Sequence, residues 1–195
     1  TGTGTNSLFG RMLKYDIRDG KLPLLTSKRT FIRGIIEEML FFVSGSTDCT
    51  KLQEKGIHIW DGNTTREFLD NRGLNHLPVG DMGAGYGFQW KYFGADYKDC
   101  KTDYKDQGFD QIQNAINLIK NNPDSRRMVV TAWNPSVLDE IVLPSCHAFF
   151  IFNVTNGKLN CHLTQRSGDI ALGIPFNLAC YATLTQMIAQ ETNLE

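Results

Sequence analysis

The sequence predicts a single α+β domain, and three patterns support that prediction. Segments with helical apolar spacing occur along the chain, a strand–Asn-Gly–strand pattern occurs near its end, and the two kinds of element do not alternate regularly. The 195 residues are enough for one substantial core. Because no internal repeat, linker or low-complexity segment is present in the sequence, we assign residues 1–195 to one domain.

The composition is that of a globular protein and disfavours several classes of function. The hydrophobic share is 41%, the charged share is 21% and the formal net charge is −1, so nothing indicates binding to nucleic acid or to a membrane surface. No stretch reaches the roughly 18 apolar residues of a membrane span. The five cysteines lack paired C-x-x-C spacing, which predicts a reducing compartment and no disulfide frame or zinc site. We expect that compartment to be the cytoplasm, with the nucleus or an organelle as the open alternatives.

Three long segments predict helices. The first, "TFIRGIIEEMLFFVSG", ends at Ser44-Gly45, and the second, "GFDQIQNAINLIKNNP", ends before Pro123. The third, "PFNLACYATLTQMIAQETNLE", begins with a proline. The apolar face of the first helix is expected to consist of Ile32, Ile35, Ile36, Met39 and Phe42.

The shorter elements are less regular. "TGTGTNSLFG" is rich in turn residues and is expected to enter an edge strand, "DCTKLQEKG" predicts a short helix, and "IHIW" resembles a strand. Residues 61–106 are expected to form loops with short elements, and "RRMVVTAW" predicts a strand.

The clearest pattern is a β-hairpin. "HAFFIFNV" and "GKLNCHLTQR" flank the dipeptide Asn156-Gly157, the strongest short-range turn signal. A two-residue turn at that position puts three apolar pairs on one face of the sheet, which favours this register. The pairs are Phe150–Leu163, Phe152–Cys161 and Val154–Leu159.

This register limits how Cys146 could be activated. A lone cysteine is more often a small buried hydrophobe than a nucleophile, and neighbouring strand residues point to opposite faces, so Cys146 and His147 cannot form a catalytic dyad. A cysteine hydrolase is therefore disfavoured. Arg166 is the nearest cation, but regular pairing places it on the wrong face, so we predict a β-bulge or kink near residues 143–147 or 165–169.

A 13-residue polar segment follows the hairpin. "QRSGDIALGIPFN" brings an amide, a guanidinium, a hydroxyl and a carboxylate together with several glycine and proline breaks. Two interpretations stay open on this segment alone: a functional loop, or a polar turn in which Ser167 and Asp169 act as turn formers.

The ordered motifs resemble the thymidylate synthase family. "LPSCH", "QRSGDIALGIPFN" and "YATLTQMIAQ" carry the resemblance, with "TGTGT", "LPLLTSKR", "IWDGN", "YGFQW", "DQIQNAINLIKNNPDSRRMVV" and "AWNP". "TTREFLDNRG" and "FGADYKDCKTDY" are similar to the long form of eukaryotic, protist and some viral members. The resemblance implies a large, twisted, mixed β-sheet with helices on one face and a homodimer interface on the other.

The resemblance also implies an activity. It is the reductive methylation of dUMP by 5,10-methylenetetrahydrofolate, giving dTMP and dihydrofolate without a metal ion. Cys146 would attack carbon 6 of the uracil ring and Arg166 would activate the thiol. The catalytic positions implied are Cys146, Glu38, Arg166, Asp169, Asn177, Tyr86 and His147.

Two binding sets follow from the same resemblance. The dUMP set is Arg126, Arg127, Gln165, Arg166, Ser167, Gly168, Asp169 and Asn177, with Arg126 and Arg127 reaching the phosphate in the other subunit's site. The folate set is Phe31, Ile59, Trp60, Leu143, Asp169, Gly173 and Phe176.

Plain structural interpretations stay open for several of these residues. Asn177 could cap a helix, Glu38 could lie at an exposed edge of its helix, and the Arg126-Arg127 pair could be a solvated pair at a strand start. Ile59 and Trp60 could be ordinary core residues.

Two departures from the family pattern bear on function. The family has an arginine before "TGTGT", and a His-x-Tyr motif and a closing tail beyond the position of Glu195, so we expect the sequence to be a fragment. The alternatives to methylation are a deoxyuridylate hydroxymethylase on the same fold, and a non-catalytic nucleotide-binding remnant. Asn177 argues against a cytosine-specific hydroxymethylase, which carries a carboxylate at that position.

Overall fold

The computed structural model describes residues 4–195 of the chain. Three predicted helices are confirmed, at the first, second and third long apolar segments, and the short helix in "DCTKLQEKG" is also confirmed. The α-helices of the described residues are α1 (Ile32–Val43), α2 (Thr50–Gln53), α3 (Arg66–Asn71), α4 (Tyr86–Tyr92), α5 (Gln111–Asn121) and α6 (Gly173–Glu191). Short 3₁₀ turns occupy Arg18–Gly20, Asp61–Asn63 and Pro135–Glu140.

The sheet is small and antiparallel. It consists of β1 (Val129–Thr131), β2 (His147–Thr155) and β3 (Lys158–Gln165), in the order β1-β2-β3. The α+β class is confirmed, whereas the expected large mixed sheet is not what residues 4–195 form. Other extended segments there meet only in isolated bridges such as Gly83–Ile141, and a strand needs a continuous ladder with a partner.

The hairpin has the predicted register. Phe150 pairs with Leu163, Phe152 with Cys161 and Val154 with Leu159. Asn156 and Gly157 have φ angles of 51° and 73°, the left-handed conformations that a tight turn of this kind requires. The paired apolar residues face the helices, with α6 packed on β3 and both α4 and α5 packed on β1.

A β-bulge interrupts the hairpin at its open end. His147 pairs with Gln165 and Phe149 pairs with Thr164, so Ala148 is the extra residue on β2. The bulge lies near residues 143–147, as predicted, and has the predicted consequence. It brings Arg166 opposite Cys146, where the Arg166 N–H donates to the Cys146 carbonyl oxygen at 2.9 Å.

Helix α1 turns a different face to the core than the sequence predicts. Ile35, Met39 and Phe42 are buried, but Ile32 and Ile36 are largely exposed. The helix is flanked by α4 and α6, and these helices cover the arc that contains Ile35, Met39 and Phe42, leaving the neighbouring edge to solvent. The same arc includes Glu38, which is buried.

Two strand predictions near the N-terminal half are not confirmed. Residues 57–60 form a turn that leads into the Asp61–Asn63 3₁₀ turn, because Ile57 and Trp60 are buried through a compact turn rather than through strand pairing. The first three residues of "TGTGTNSLFG" lie outside the described residues, and residues 4–10 contain no strand.

An aromatic stack joins α1, α4 and β2. Gly87 lets α4 approach α1 closely, since a Cβ at that position would collide with the Phe42 backbone. Tyr86 stacks on Phe42 with ring centroids 4.9 Å apart and on His147 at 4.3 Å. The start of α4 is therefore fixed against the first residue of β2, next to Cys146.

Candidate active site

Cys146 lies in a short loop between two anchored segments. Before it, Ile141 bridges Gly83, and the Val142 N–H donates to the Met82 carbonyl at 3.2 Å. After it, β2 begins at His147. The thiol is half-buried, and the Cys146 N–H donates to the Tyr86 hydroxyl at 2.9 Å.

The Arg166 guanidinium is held beside this thiol. Its Nη2 lies 3.8 Å from the Cys146 Sγ, and it donates to the carbonyl oxygens of Ser145 (3.0 Å, from Nε) and Pro144 (2.6 Å, from Nη2). The guanidinium carbon lies 5.4 Å from the centre of the Trp133 ring, a cation–π distance. The guanidinium therefore places a fixed positive charge next to the sulfur that the sequence singles out as the candidate nucleophile.

His147 does not contact this thiol group. Its side chain is buried, and its Nδ1 lies 2.8 Å from the Tyr181 hydroxyl on α6. Burial lowers the pKa of His147 to about 3, so the ring is neutral at physiological pH. The prediction that Cys146 and His147 form no dyad is confirmed.

Glu38 is a buried acid. Its Oε1 accepts from the Trp60 indole N–H at 2.9 Å, and its Oε2 lies 3.8 Å from the Cys180 sulfur. Burial raises the pKa of Glu38 to about 7, against an ordinary value of 4.5. The interpretation as an exposed helix edge is wrong, and a carboxyl that titrates near neutral pH is suited to proton transfer.

The polar loop after β3 contains a turn formed by Asp169, and it brings the side-chain amides of Gln165 and Asn177 into a hydrogen bond. Asp169 Oδ1 accepts from the N–H groups of Ala171 and Leu172, both at 2.8 Å, so Asp169 is a turn former. Gln165 Nε2 donates to Asn177 Oδ1 at 2.8 Å. Asn177 lies inside α6, whose N-cap is Leu172, so it is not the helix cap.

Gly168 is packed tightly within this loop. A Cβ at its position would lie 2.5 Å from Ile174 Cδ1 and 2.9 Å from Gln165 Nε2. A larger residue there would displace the Gln165 side chain that bonds Asn177.

The residues predicted to contact folate include several exposed apolar side chains. Phe31 is 45% exposed, Ile59 37% and Leu143 39%. Trp60 is buried as its core interpretation expects, while Gly173 and Phe176 are half-buried at the start of α6. Phe31, Ile59 and Leu143 therefore offer exposed apolar surface from three separate segments of the chain.

Arg126, Arg127 and Ser167 are not joined to Cys146 within the described chain. All three are exposed, and the side chains of Arg126 and Arg127 make no hydrogen bond or ion pair with any residue between 4 and 195. Two guanidinium groups without partners form a surface suited to an anion.

Three side chains at the site were not singled out from the sequence: Tyr181, Cys180 and Trp133. Tyr181 lies four residues after Asn177 on α6, so helical spacing could have placed it on the same side of the helix. No sequence pattern pointed to the Trp133 contact, because Trp133 follows β1 and its partner Arg166 follows β3, 33 positions later in the chain.

Two features of residues 4–195 bear on the class of site. None of the helices within residues 4–195 is long and apolar enough to cross a membrane. Within the same residues, no group of three or more His, Cys, Asp and Glu side chains is arranged to hold a metal ion.

The fold and this site define an α+β protein with an arginine-paired cysteine hydrogen-bonded to Tyr86 and a buried acid hydrogen-bonded to Trp60, and the rings of Tyr86 and Trp60 are 6.0 Å apart. Comparison with known proteins gives the family: the model of the thymidylate synthase family matches residues 1–195. The chain belongs to the thymidylate synthase family.

Relatives agree with this assignment. The chain is 54% identical over 194 residues to a bifunctional dihydrofolate reductase-thymidylate synthase of Zea mays, covering 100% of the chain and 37% of that relative. It is 54% identical over 195 residues to the thymidylate synthase of equine herpesvirus 2, and 52% identical to that of Bos taurus, covering 100% of the chain and 67% and 55% of those relatives. The chain spans about two fifths of the length of the bifunctional relatives it matches.

Proposed function

We propose that this protein converts dUMP to dTMP with 5,10-methylenetetrahydrofolate as the donor of both the carbon and the hydride, giving dihydrofolate. The main observation behind this proposal is the contact between the Cys146 Sγ and the Arg166 Nη2, which lie 3.8 Å apart. We propose that residues 1–195 act as one catalytic domain in the cytoplasm.

Cys146 is the nucleophile in this proposal. Its thiolate attacks carbon 6 of uracil, the Sγ–C6 bond forms, and carbon 5 becomes nucleophilic toward the one-carbon unit. Arg166 stabilises the thiolate before attack. Tyr86 holds the Cys146 N–H and His147 holds the stack behind Tyr86, which supports a fixed position for the nucleophile.

Asn177 and its partner recognise the base. An amide offers one donor and one acceptor, which is what the O4 and N3–H edge of uracil needs. The bond from Gln165 Nε2 to Asn177 Oδ1 orients the Asn177 amide, and a carbonyl oxygen still has a second lone pair for N3–H.

Glu38 and Asp169 handle protons and the pterin. The near-neutral pKa of Glu38 suits a group that both gives and accepts a proton. Asp169, Gly173 and Phe176, with Phe31, Ile59, Trp60 and Leu143, form the proposed folate surface. Phe31, Ile59 and Leu143 have the exposed apolar area that an aromatic pterin could cover.

The proposal includes a homodimer. Arg166, Ser167 and Gly168 bind the phosphate from one subunit, and Arg126 and Arg127 of the other subunit complete that site. Two observations support this: the two arginine side chains have no partner between residues 4 and 195, and the sheet face away from the helices carries partly exposed apolar residues. Those residues are Val129, Phe149 and Ile151.

Turnover tests this proposal directly. The protein is mixed with dUMP and methylenetetrahydrofolate, dihydrofolate formation is followed by absorbance, and the nucleotide product is identified by mass. A methylated nucleotide in equal amount to dihydrofolate is expected. A hydroxymethylated nucleotide without dihydrofolate would contradict the proposal, as would no product from a folded wild-type protein.

A further inference from the structure

Cys180 is a buried thiol that contacts the proposed proton-transfer acid. It lies on α6, is 3% exposed, and faces α1. Its sulfur lies 3.8 Å from Glu38 Oε2 and 3.6 Å from the Ile35 carbonyl oxygen. A thiol has a single proton, so it can donate to only one of these two acceptors at a time.

The two oxygens of Glu38 have different partners. Oε1 accepts from the Trp60 indole, a strong donor held at 2.9 Å. For Oε2, the Cys180 thiol is the only donor among residues 4–195. The ionised carboxylate is therefore stabilised on one side by a firm hydrogen bond and on the other by a weak one.

Among residues 4–195, no cationic side chain contacts Glu38 to compensate its charge when it is ionised. The titratable groups that face it are Cys180 and Tyr181 from α6, Tyr86 from α4 and, behind Tyr86, His147 from β2. Burial raises the pKa of both tyrosines and of the Cys180 thiol and lowers that of His147 to about 3, so all four are neutral at pH 7. Glu37, next to it on α1, points outward to Lys55.

We propose that Cys180 is a positioning residue for Glu38, whose thiol proton bonds Oε2 when the carboxyl is ionised and the Ile35 carbonyl when it is protonated. This inference rests on the proposed function, in which Glu38 moves protons at the uracil ring. In the protonated state the carboxyl O–H can donate to the sulfur, which is a weak acceptor. Neither state of Glu38 then leaves a buried polar group without a partner.

The thiol suits this positioning role because it is a weak hydrogen-bond donor. A hydroxyl would donate more strongly and would favour the ionised carboxyl, which lowers its readiness to take up a proton. A methyl group would leave Oε2 without a donor and would favour the protonated carboxyl. A thiol keeps the two states close in free energy, as an acid that works in both directions requires.

The test measures the ionisation of Glu38 in the free protein, without turnover. Glutamate labelled with ¹³C at the side-chain carboxyl is titrated by NMR, and Glu38→Gln identifies the resonance. Cys180→Ala is expected to raise the pKa of Glu38 and Cys180→Ser to lower it, each by about half a unit to one unit. Cys49→Ala is the matched control, because Cys49 is a buried thiol of the same core with no hydrogen bond to Glu38.

A pKa of Glu38 that stays within about 0.2 units of wild type in folded Cys180→Ala would overturn the proposal. If Cys180→Ala lacks a cooperative melt, Cys180→Ser decides by the same criterion. The pH at which kcat falls is expected to shift in the same direction as the NMR titration. A wild-type protein that makes no dTMP would overturn the proposed function, while the NMR titration would still report on the Cys180–Glu38 contact.

Discussion

Arg166 is held by backbone carbonyl oxygens rather than by a carboxylate. Its hydrogen bonds go to Ser145 and Pro144, and no acidic side chain within residues 4–195 pairs with it. The guanidinium therefore keeps its full positive charge while its position is fixed, and the Cys146 sulfur is the polarisable group at its open side. This is the single contact on which the account of the nucleophile depends.

Removing the Arg166 charge should lower the reactivity of the Cys146 thiol. We expect Arg166→Ala to reduce the rate of Cys146 alkylation by iodoacetamide at pH 7 by about tenfold, because the attacking sulfur loses the positive charge that lies 3.8 Å from it. The rate is read for each cysteine by peptide mass, with the buried Cys49 as an internal reference. Arg11→Ala serves as control, since the Arg11 side chain bonds the Gly10 carbonyl and no other group among residues 4–195; equal rates in both variants would contradict the expected role of Arg166.

Glu38 should make the stability depend on pH. Its folded pKa of about 7 is above the ordinary 4.5, so its stabilising contribution is full below about pH 4.5 and is lost as pH rises through about 7. The change is at most about 3 kcal/mol. Relative to wild type, Glu38→Gln should gain stability between pH 5 and pH 8, as measured by urea unfolding at both pH values.

Two further results bear on that prediction. A difference between Glu38→Gln and wild type that is the same at both pH values would show that Glu38 does not titrate in this range. Activity should fall at least about a hundredfold in Glu38→Gln, the usual size of a general acid–base contribution.

Residues 81–86 position Cys146 in two ways: they anchor the chain segment that precedes it, and they bond its own N–H. Asp81 is fully buried and accepts from the Gly83 N–H (2.8 Å), the Tyr97 hydroxyl (2.5 Å) and the Cys100 N–H (2.7 Å). Gly83 bridges the strand-like residue that precedes the Cys146 loop, and Tyr86 holds Cys146 itself. Residues 97–100, from the stretch that resembles long-form members, thus brace the site from behind.

Loss of this brace should be costly. Asp81→Ala removes the acceptor of one buried and two half-buried donors, of which the Tyr97 hydroxyl alone keeps another partner, Thr47 Oγ1, and we expect it to lower the free energy of unfolding by about 3 kcal/mol. Asp99→Ala is the matched control: Asp99 also accepts backbone N–H bonds but lies near the surface, so its loss should cost about 1 kcal/mol. Denaturant unfolding measures both, and equal losses would contradict the bracing role.

The sequence predicted the elements that a local pattern encodes, and it missed contacts between residues that are far apart in the chain. The hairpin register followed from Asn156-Gly157 and the apolar alternation, and the requirement to bring Arg166 to Cys146 predicted a bulge. "IHIW" looks like a strand because burial through a turn and burial through a sheet give the same apolar pattern. The Cys180–Glu38 contact joins residues 142 positions apart, and no single-chain pattern encodes which helices meet.

On the scale of the whole molecule, a single chain does not bring together all the arginines that are proposed to bind the phosphate. Arg166 contacts the Cys146 sulfur and Ser167 follows it in the chain, whereas the side chains of Arg126 and Arg127 lie exposed before β1 and without partners in residues 4–195. In the proposed homodimer, the partly exposed outer face of the sheet is covered and each site receives arginines from its neighbour.

Mixing inactive variants tests this shared site. Cys146→Ala and the double variant Arg126→Ala/Arg127→Ala should each be nearly inactive alone. After subunit exchange at equal concentrations, half of the dimers are mixed and each has one intact site, so about a quarter of wild-type activity should return. A mixture no more active than the sum of its components would contradict the shared site.

The central claim, that Cys146 is a nucleophile for a uracil nucleotide, is tested most directly by covalent trapping. The protein is incubated with 5-fluoro-dUMP and methylenetetrahydrofolate, and its intact mass is measured, with Cys146→Ala as control. Fluorine at carbon 5 blocks the final proton loss, so the account predicts a ternary adduct on the peptide that contains Cys146 and none in the variant. An unmodified mass in folded, dimeric wild-type protein, or an adduct that persists in Cys146→Ala, would contradict it.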